Sequence, residues 1–301
     1  MGTPHLWVPI IGFTLVALCL FALAGFSTDD PSVGGKLLLG VACAAMGYAG
    51  LKFGVRARVA WAVVGLTQAA TISAAGMMLT YAAASLGMPL VDEELLSFDR
   101  AIGYDWMQYA TFVHAHLWVG QLLLVSYLSI FAMPTIALFA LAGTGRTRQI
   151  NRYLIAMMIS LIVTTSIFAL CPALTAWDHL GVDPQVIRQF TILPTATSGW
   201  EYDLLEIRAA RGFVLHHSAG SGLTAFPSYH CVAGLLFLWA LWPIRQLRIA
   251  AAIATALLIA ATPLFGGHYI ADLFGGAAVA ALSIVGGHWL ELAWQRRHEA
   301  R

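Results

Sequence analysis

A chain of 301 residues that is 59% hydrophobic and only 10% charged, with a mean hydropathy of +0.78, carries more apolar surface than a soluble core of its size can hold. Its net charge of +1, from 16 basic and 15 acidic residues, excludes nucleic acid as a partner, because there is no basic surplus to meet the phosphates. The four scattered cysteines, Cys19, Cys43, Cys171 and Cys231, lack CxxC spacing; they exclude a disulfide scaffold and read as small buried apolar groups.

Crossing a bilayer as a helix takes about 20 mainly apolar residues, and about eight such segments lie between charged or Gly/Pro-rich breaks. They run roughly over 7–26, 34–51, 59–86, 116–142, 153–172, 227–243, 249–265 and 268–294. The first has no Lys or Arg upstream, is followed by Asp29-Asp30-Pro31 and lacks a small-residue cleavage pattern, so it reads as a retained span and not a signal peptide. Alternating loops then place Lys52, Arg56, Arg58, Arg146, Arg148, Arg152, Arg245, Arg248, Arg296, Arg297 and Arg301 on one side with both termini. By the positive-inside rule that side is cytoplasmic. The opposite loops hold Lys36, Arg100, Arg188, Arg208 and Arg211 with most of the acids, including Asp92, Glu93, Glu94, Asp99, Glu201, Asp203 and Glu206, and face the periplasm or a lumen. Trp7, Trp106, Trp118, Trp200 and Trp289 stand near span ends as an aromatic belt.

The expected fold is therefore all-α, a polytopic membrane helical bundle. No repeat or linker divides it, so residues 1–301 are expected to form one domain: N-terminal spans over 1–172, an extracytoplasmic loop over 173–226 and the polar-capped spans over 227–294. Two outer segments, 87–115 and 173–226, are longer than turns, and long ordered loops tend to carry function. In the second, Ser198-Gly199-Trp200-Glu201 has the form of a capping box. It opens a short interfacial helix on which Arg208 and Arg211, three apart, share a side.

Ionisable groups at membrane depth are costly and usually mark a function. Two spans begin with them. In Phe226-Pro227-Ser228-Tyr229-His230, Pro227 suits a first helical turn and the amides of Ser228 and Tyr229 are free to receive an anion. In Gly266-Gly267-His268-Tyr269-Ile270-Ala271-Asp272, the histidine and aspartate are four apart, so they share a helix face and the carboxylate can reach the ring. A histidine held at Nδ1 by a carboxylate keeps Nε2 free and more basic, which suits His268 as a nucleophile, with His230 as the acid for the leaving group and Arg208, Ser228 and Arg211 to hold a phosphate. Three other readings compete: interfacial histidines with no chemistry, a zinc site formed by His230, His268 and Asp272, and a Cys231 nucleophile. The zinc reading has no HExxH or cysteine-ligand spacing behind it, and Cys231 points about 100° away from its neighbour His230 on a helix.

Over roughly residues 200–282 the pattern resembles the type-2 phosphatidic acid phosphatase superfamily, and within it the branch similar to inositol-phosphorylceramide synthases. The P-S-x-H segment corresponds to Pro227-Ser228-Tyr229-His230, and H-x-x-x-D to His268 and Asp272. The branch's Thr-then-HY-x-x-D form is similar to Thr262 followed by His268-Tyr269-Ile270-Ala271-Asp272, and its Leu-or-Ile-Arg pair eighteen residues before F-P-S resembles Ile207-Arg208. The resemblance implies a helical fold and phosphoryl transfer through a phosphohistidine at the outer membrane face, with no metal and no cofactor. It gives His268 as nucleophile, His230 as proton donor and Asp272 as orienter, and adds Tyr269 to the substrate-holding residues. Two features depart from the pattern: the K-x6-R-P segment is missing, and Thr262 stands where an arginine is expected six residues before the nucleophile. Arg208 is then the replacement cation, and with fewer positive charges a doubly charged phosphomonoester is held less firmly than in the superfamily's standard site, which leaves phosphodiester transfer open.

The sequence thus predicts an enzyme acting on a lipid-linked phosphate in the membrane, with water or a lipid or polyol alcohol as acceptor. Hydrolase and transferase share the first half-reaction, and the sequence specifies neither the acceptor, the head group nor an oligomeric state. A proton-coupled transporter using the same histidine and aspartate, and a structural membrane subunit, are the readings from other classes.

Overall fold

A computed structural model describes residues 6–28, 57–183, 200–209, 214–215 and 222–299, with the isolated positions 42, 45 and 49. The chain begins with α1 (Trp7–Leu23), a two-residue strand β1 (Ser27–Thr28) and the long α2 (Ala57–Ala84). The amphipathic α3 (Asp92–Ala101), α4 (Trp106–Ala115) and α5 (Leu117–Leu128) follow. A 3-10 turn over Ser129–Phe131 leads into α6 (Met133–Gly143), α7 (Thr147–Leu170) and the single-turn α8 (Ala176–His179). Beyond these lie α9 (Trp200–Ala209), β2 (Val214–Leu215), α10 (Tyr229–Leu241), α11 (Arg248–Phe265) and α12 (Ile270–Glu299). The two strands form a small parallel pair, Ser27 opposite Val214 and Thr28 opposite Leu215.

The molecule is an all-α membrane bundle. Four described helices, α2, α7, α11 and α12, are long and apolar enough to cross a bilayer, and a fifth span results if the sharply bent α4 and α5 pair, at 112°, is taken as one. α1, α6 and α10 are shorter apolar helices. Large apolar side chains such as Val8 (77% exposed), Ile249 (76%) and Leu282 (63%) project outward from these helices. Such a surface is costly in water and matched to hydrocarbon. The expected segment 34–51, apart from positions 42, 45 and 49, and Arg211 lie outside the described residues.

The segment 116–142 is not the single helix its hydropathy predicts. Pro134 in the first turn of α6 has no N–H to continue the ladder. The hydroxyls of Ser126 and Ser129 turn back onto Leu122 O (2.7 Å) and Ser126 O (2.6 Å), and the 3-10 turn begins at the second of these serines.

α7 runs through the middle of the bundle, touching α2, α10 and α12, while α10 also packs on α11 and α12, and α11 on α5. At one end of α7, Arg146, Arg148 and Arg152 line a cavity of about 430 Å³ with Thr144, Gly145, Thr147, Gln149 and Pro243. Arg58 reaches Gly143 O nearby (2.9 Å), and the last turns of α12 come back to the same end, where Glu291 accepts from Asn151 Nδ2 (3.4 Å). The starts of α10 and α12 and the ends of α7 and α11 gather at the other end, about 36 Å away along the 24 residues of α7. All the polar motifs singled out above that are described lie at that second end.

Candidate active site

The local chemistry of the turn between α11 and α12 explains its shape. Pro263 inside α11 has no N–H, which would orphan the Ile259 carbonyl. The hydroxyl of Thr262 donates to that oxygen at 2.6 Å, and the Thr262 carbonyl in turn accepts Gly266 N (2.9 Å) and His268 N (3.5 Å). Thr262 is therefore a strut of the turn, fully buried. Trp106 Nε1 donates to Pro263 O and Tyr109 OH to Ala260 O, both at 2.7 Å, so α4 secures the end of α11. Gly267 adopts φ +62°, and a Cβ there would fall 2.5 Å from Thr175. Ala176 N donates to Gly267 O at 2.7 Å, which ties the turn to α8.

On this turn His268 is 2% exposed and Asp272 is fully buried. The His268 Nδ1–H donates to Asp272 Oδ2 at 3.0 Å, and the same oxygen accepts Tyr269 N at 2.9 Å. Asp272 Oδ1 is buried with no hydrogen-bond partner. Nε2 is flanked by Gly266, where a Cβ would lie 3.1 Å from Nε2 and 2.6 Å from Cδ2, so glycine at 266 keeps the edge of the ring clear.

His230 opens α10, whose N-cap is Ser228, its Oγ accepting Cys231 N at 3.4 Å. The His230 and His268 rings meet edge to face with centroids 5.9 Å apart. Tyr127 of α5 stacks on His230 at 4.4 Å with an 18° interplanar angle and also contacts Phe265. Two glycines of α12 set this spacing. A Cβ on Gly276 would stand 2.5 Å from Ser228 O and 2.9 Å from Cys231 Cβ, and one on Gly275 would stand 2.9 Å from the Phe226 ring. Ser228 N crosses the same seam to Asp272 O at 3.1 Å.

His230, His268, Asp272 and Ser228 are thus brought together. The Ser228 amide, expected to be free for an anion, is instead taken by Asp272 O, and Ser228 is fully buried. Tyr269 is likewise fully buried, and its hydroxyl donates to Asp92 Oδ1 at 3.0 Å, so it supports the turn from behind. Arg208 lies on α9, which rests on α2 through Leu204 and Ile207, packed among Phe21, Phe26, Tyr81, Phe168 and Leu223. Leu223 N is fastened to Thr80 Oγ1 (3.1 Å), and from there the chain leads to Phe226 and the start of α10. Arg208 Nη1 is buried with no hydrogen-bond partner among the described residues. Among the described residues no group of three or more His, Cys, Asp or Glu is placed to hold a metal ion.

Sequence reasoning misses three contributors: Tyr127, Asp92 and Asp99. Asp99 accepts Ile270 N on Oδ2 (3.0 Å) and Ala271 N on Oδ1 (3.1 Å), capping α12 from a helix 171 residues away. Asp92 accepts Leu174 N (3.0 Å) besides Tyr269 OH. Burial lifts both carboxyls above the usual carboxylate range, against the pull of these donors. The signal for them is the stripe Asp92, Leu95, Leu96, Asp99 on the buried face of α3, an i, i+3, i+4, i+7 pattern in which the outer two positions are acids.

The family model of the PAP2 superfamily matches residues 93–286, more than half of the chain, from α3 through most of α12. The chain belongs to the PAP2 superfamily. Members of that superfamily are phosphatases and phosphotransferases, which supports chemistry of that type for this integral membrane PAP2 protein. Comparison with curated proteins and with solved structures gives no match.

Proposed function

We propose that this PAP2 protein is a lipid phosphatase or phosphotransferase that works through a phosphohistidine on His268. The observation that carries the reading is the edge-to-face meeting of the two imidazoles, centroids 5.9 Å apart, with Asp272 on the Nδ1 of one of them, which puts a nucleophile and a proton donor within reach of one phosphoryl group. His268 Nε2 attacks phosphorus while His230 gives its proton to the departing alkoxide, so that an N–P bond forms as the P–O bond breaks. Water or a second alcohol then attacks, His230 takes that nucleophile's proton, and the N–P bond breaks. Asp272 keeps the tautomer and stabilises the positive charge that develops on the ring. Arg208, and Arg211 beyond the described residues, supply the cations that a transferring phosphoryl group needs.

Arg146, Arg148 and Arg152 gather at the opposite end of the bundle from His268, and the positive-inside rule makes that end cytoplasmic. The site then faces the periplasm or a lumen. The fixed charges favour one refinement. Asp92, Asp99 and Asp272 are all buried around the turn, with Arg208 the cation that α9 offers. A singly charged phosphodiester meets less repulsion there than a doubly charged phosphomonoester, which favours head-group transfer in the manner of inositol-phosphorylceramide synthase.

The test is to incubate detergent-solubilised protein with phosphatidate, polyprenyl phosphates and phosphoinositides, with and without ceramide or diacylglycerol. Released phosphate assigns a phosphatase and a new lipid assigns a transferase. His268→Ala should abolish turnover in protein that stays folded. Undiminished turnover in that variant contradicts the proposal.

A further inference from the structure

Two buried carboxylates on α3 have no part in the chemistry above, yet both reach the catalytic turn. Asp92 and Asp99, seven residues apart on one helix face, are each 2% exposed. Between them they accept the Tyr269 hydroxyl and the amides of Ile270 and Ala271, while Tyr269 N goes to Asp272 itself. The first amides of a helix have no partner within it and must find one elsewhere. In α12 they find carboxylates, and two of these donors depend on a helix far away in sequence.

We infer that Asp99, assisted by Asp92, is a positioning residue for the His268–Asp272 pair, α3 acting as a brace that holds the first turn of α12 in the geometry phosphoryl transfer requires. The inference rests on the phosphohistidine reading. Asp272 lies within the turn that Asp99 caps, so loosening that cap lets the Asp272 carboxylate leave the imidazole. α3 is itself anchored. Val91 N donates to Pro172 O at 3.0 Å, and Tyr104 N to Asp99 O at 2.9 Å, so the carboxylates are presented from a fixed support. Asparagine cannot replace Asp99, because it offers one acceptor and turns an NH₂ donor toward the second amide.

The test compares Asp99→Asn, Leu96→Ala and His268→Ala, purified as full chains, on the lipid phosphate that wild type turns over. Leu96 occupies the same buried face of α3 and packs in the cluster that includes Tyr269, but it has no polar atom to accept the amides of α12, and so reports on packing without the cap. Asp99→Asn should lower kcat about 10²-fold with KM little changed, the size expected when a reacting group is misplaced by about 1 Å. Its kcat–pH profile should also shift on the limb set by His268 toward lower pH, since a fixed negative charge is lost and Asp272 is loosened; Asp272 and His230 are the titratable groups in contact with this ring, and Asp92 reaches the turn through Tyr269 OH. Leu96→Ala should lower the melting temperature and leave kcat and the pH limb in place.

If Asp99→Asn fails to fold, Tyr269→Phe removes only the hydroxyl bridge to Asp92, and should lower kcat about 3–10-fold with the same direction of shift. Wild-type kcat and pH profile in whichever of these two variants folds overturn the brace, as does a kcat loss in Leu96→Ala that matches it. Turnover that survives His268→Ala overturns the phosphohistidine reading and the brace with it, whereas an inactive His268→Ala beside a fully active Asp99→Asn removes the brace alone.

Discussion

Replacing Gly276 by alanine tests the meeting of the two histidines through backbone sterics alone. The new Cβ would stand 2.5 Å from Ser228 O and 2.9 Å from Cys231 Cβ, and neither can swing aside, one being backbone and the other fixed in the first turn of α10. Ordinary nonbonded contact begins near about 3.5 Å, so α12 and the start of α10 must part by roughly 1 Å. That movement stretches the Ser228 N to Asp272 O hydrogen bond and increases the 5.9 Å separation of the ring centroids. Overpacking costs about 1–3 kcal/mol of stability, partly offset by the better helix propensity of alanine. A 1 Å error at a reacting centre costs about 10²-fold in rate, equivalent to about 2.7 kcal/mol of barrier. Gly286→Ala is the control. Farther along α12, its Cβ would meet the Ile159 side chain of α7, closest at the flexible terminal Cδ1, 2.9 Å away. Initial rates on the lipid phosphate, with melting temperatures of the same preparations, should show kcat falling about 100-fold in Gly276→Ala and less than about 2-fold in Gly286→Ala. A folded Gly276→Ala with wild-type kcat refutes the reasoning, and so does an equal loss in both variants.

Asp272→Asn should keep the fold yet lower kcat by about 10³–10⁴-fold, since the amide no longer enforces the tautomer; measuring kcat beside a circular dichroism melt checks this. Arg208→Ala should lower kcat/KM by about 10–100-fold with the melting temperature unchanged or higher, because the buried Nη1 it removes has no hydrogen-bond partner among the described residues. Lysine at 208 should recover part of that loss. Tyr127→Leu removes the ring stacked on His230 and should lower kcat by about 2–10-fold, whereas Tyr127→Phe should retain it; steady-state rates of the two variants decide. Prolonged dialysis against EDTA should leave turnover unchanged, and a loss restored by added divalent metal would contradict the histidine chemistry.

What the sequence reveals here depends on distance along the chain. His268 and Asp272 are four residues apart, and the helix period alone predicts the contact found at 3.0 Å. The approach of His230 is legible at one remove, because both motifs open spans at the same level of the bundle. The brace is not, since Asp99 and Ile270 are 171 residues apart and no local rule pairs them. Only the acidic ends of the Asp92, Leu95, Leu96, Asp99 stripe hint that α3 buries charge. Hydropathy locates apolar segments but not their continuity. The segment 116–142 satisfies composition while Pro134 and two serines divide it. Thr262 shows the converse. Aligned on a motif it looks like a lost phosphate ligand, whereas the proline beside it explains why a hydroxyl is wanted there. Tyr127 carries no sequence signal, because an aromatic residue in an apolar helix is ordinary.

The central claim is most directly tested by trapping the covalent intermediate. Protein incubated briefly with lipid substrate labelled in the phosphoryl group and quenched in alkali, where phosphohistidine survives and acyl phosphates do not, should carry the label on the peptide containing His268. His268→Ala should carry none. Label on another residue, or steady turnover by wild type with no alkali-stable label under rapid quench, would contradict the account.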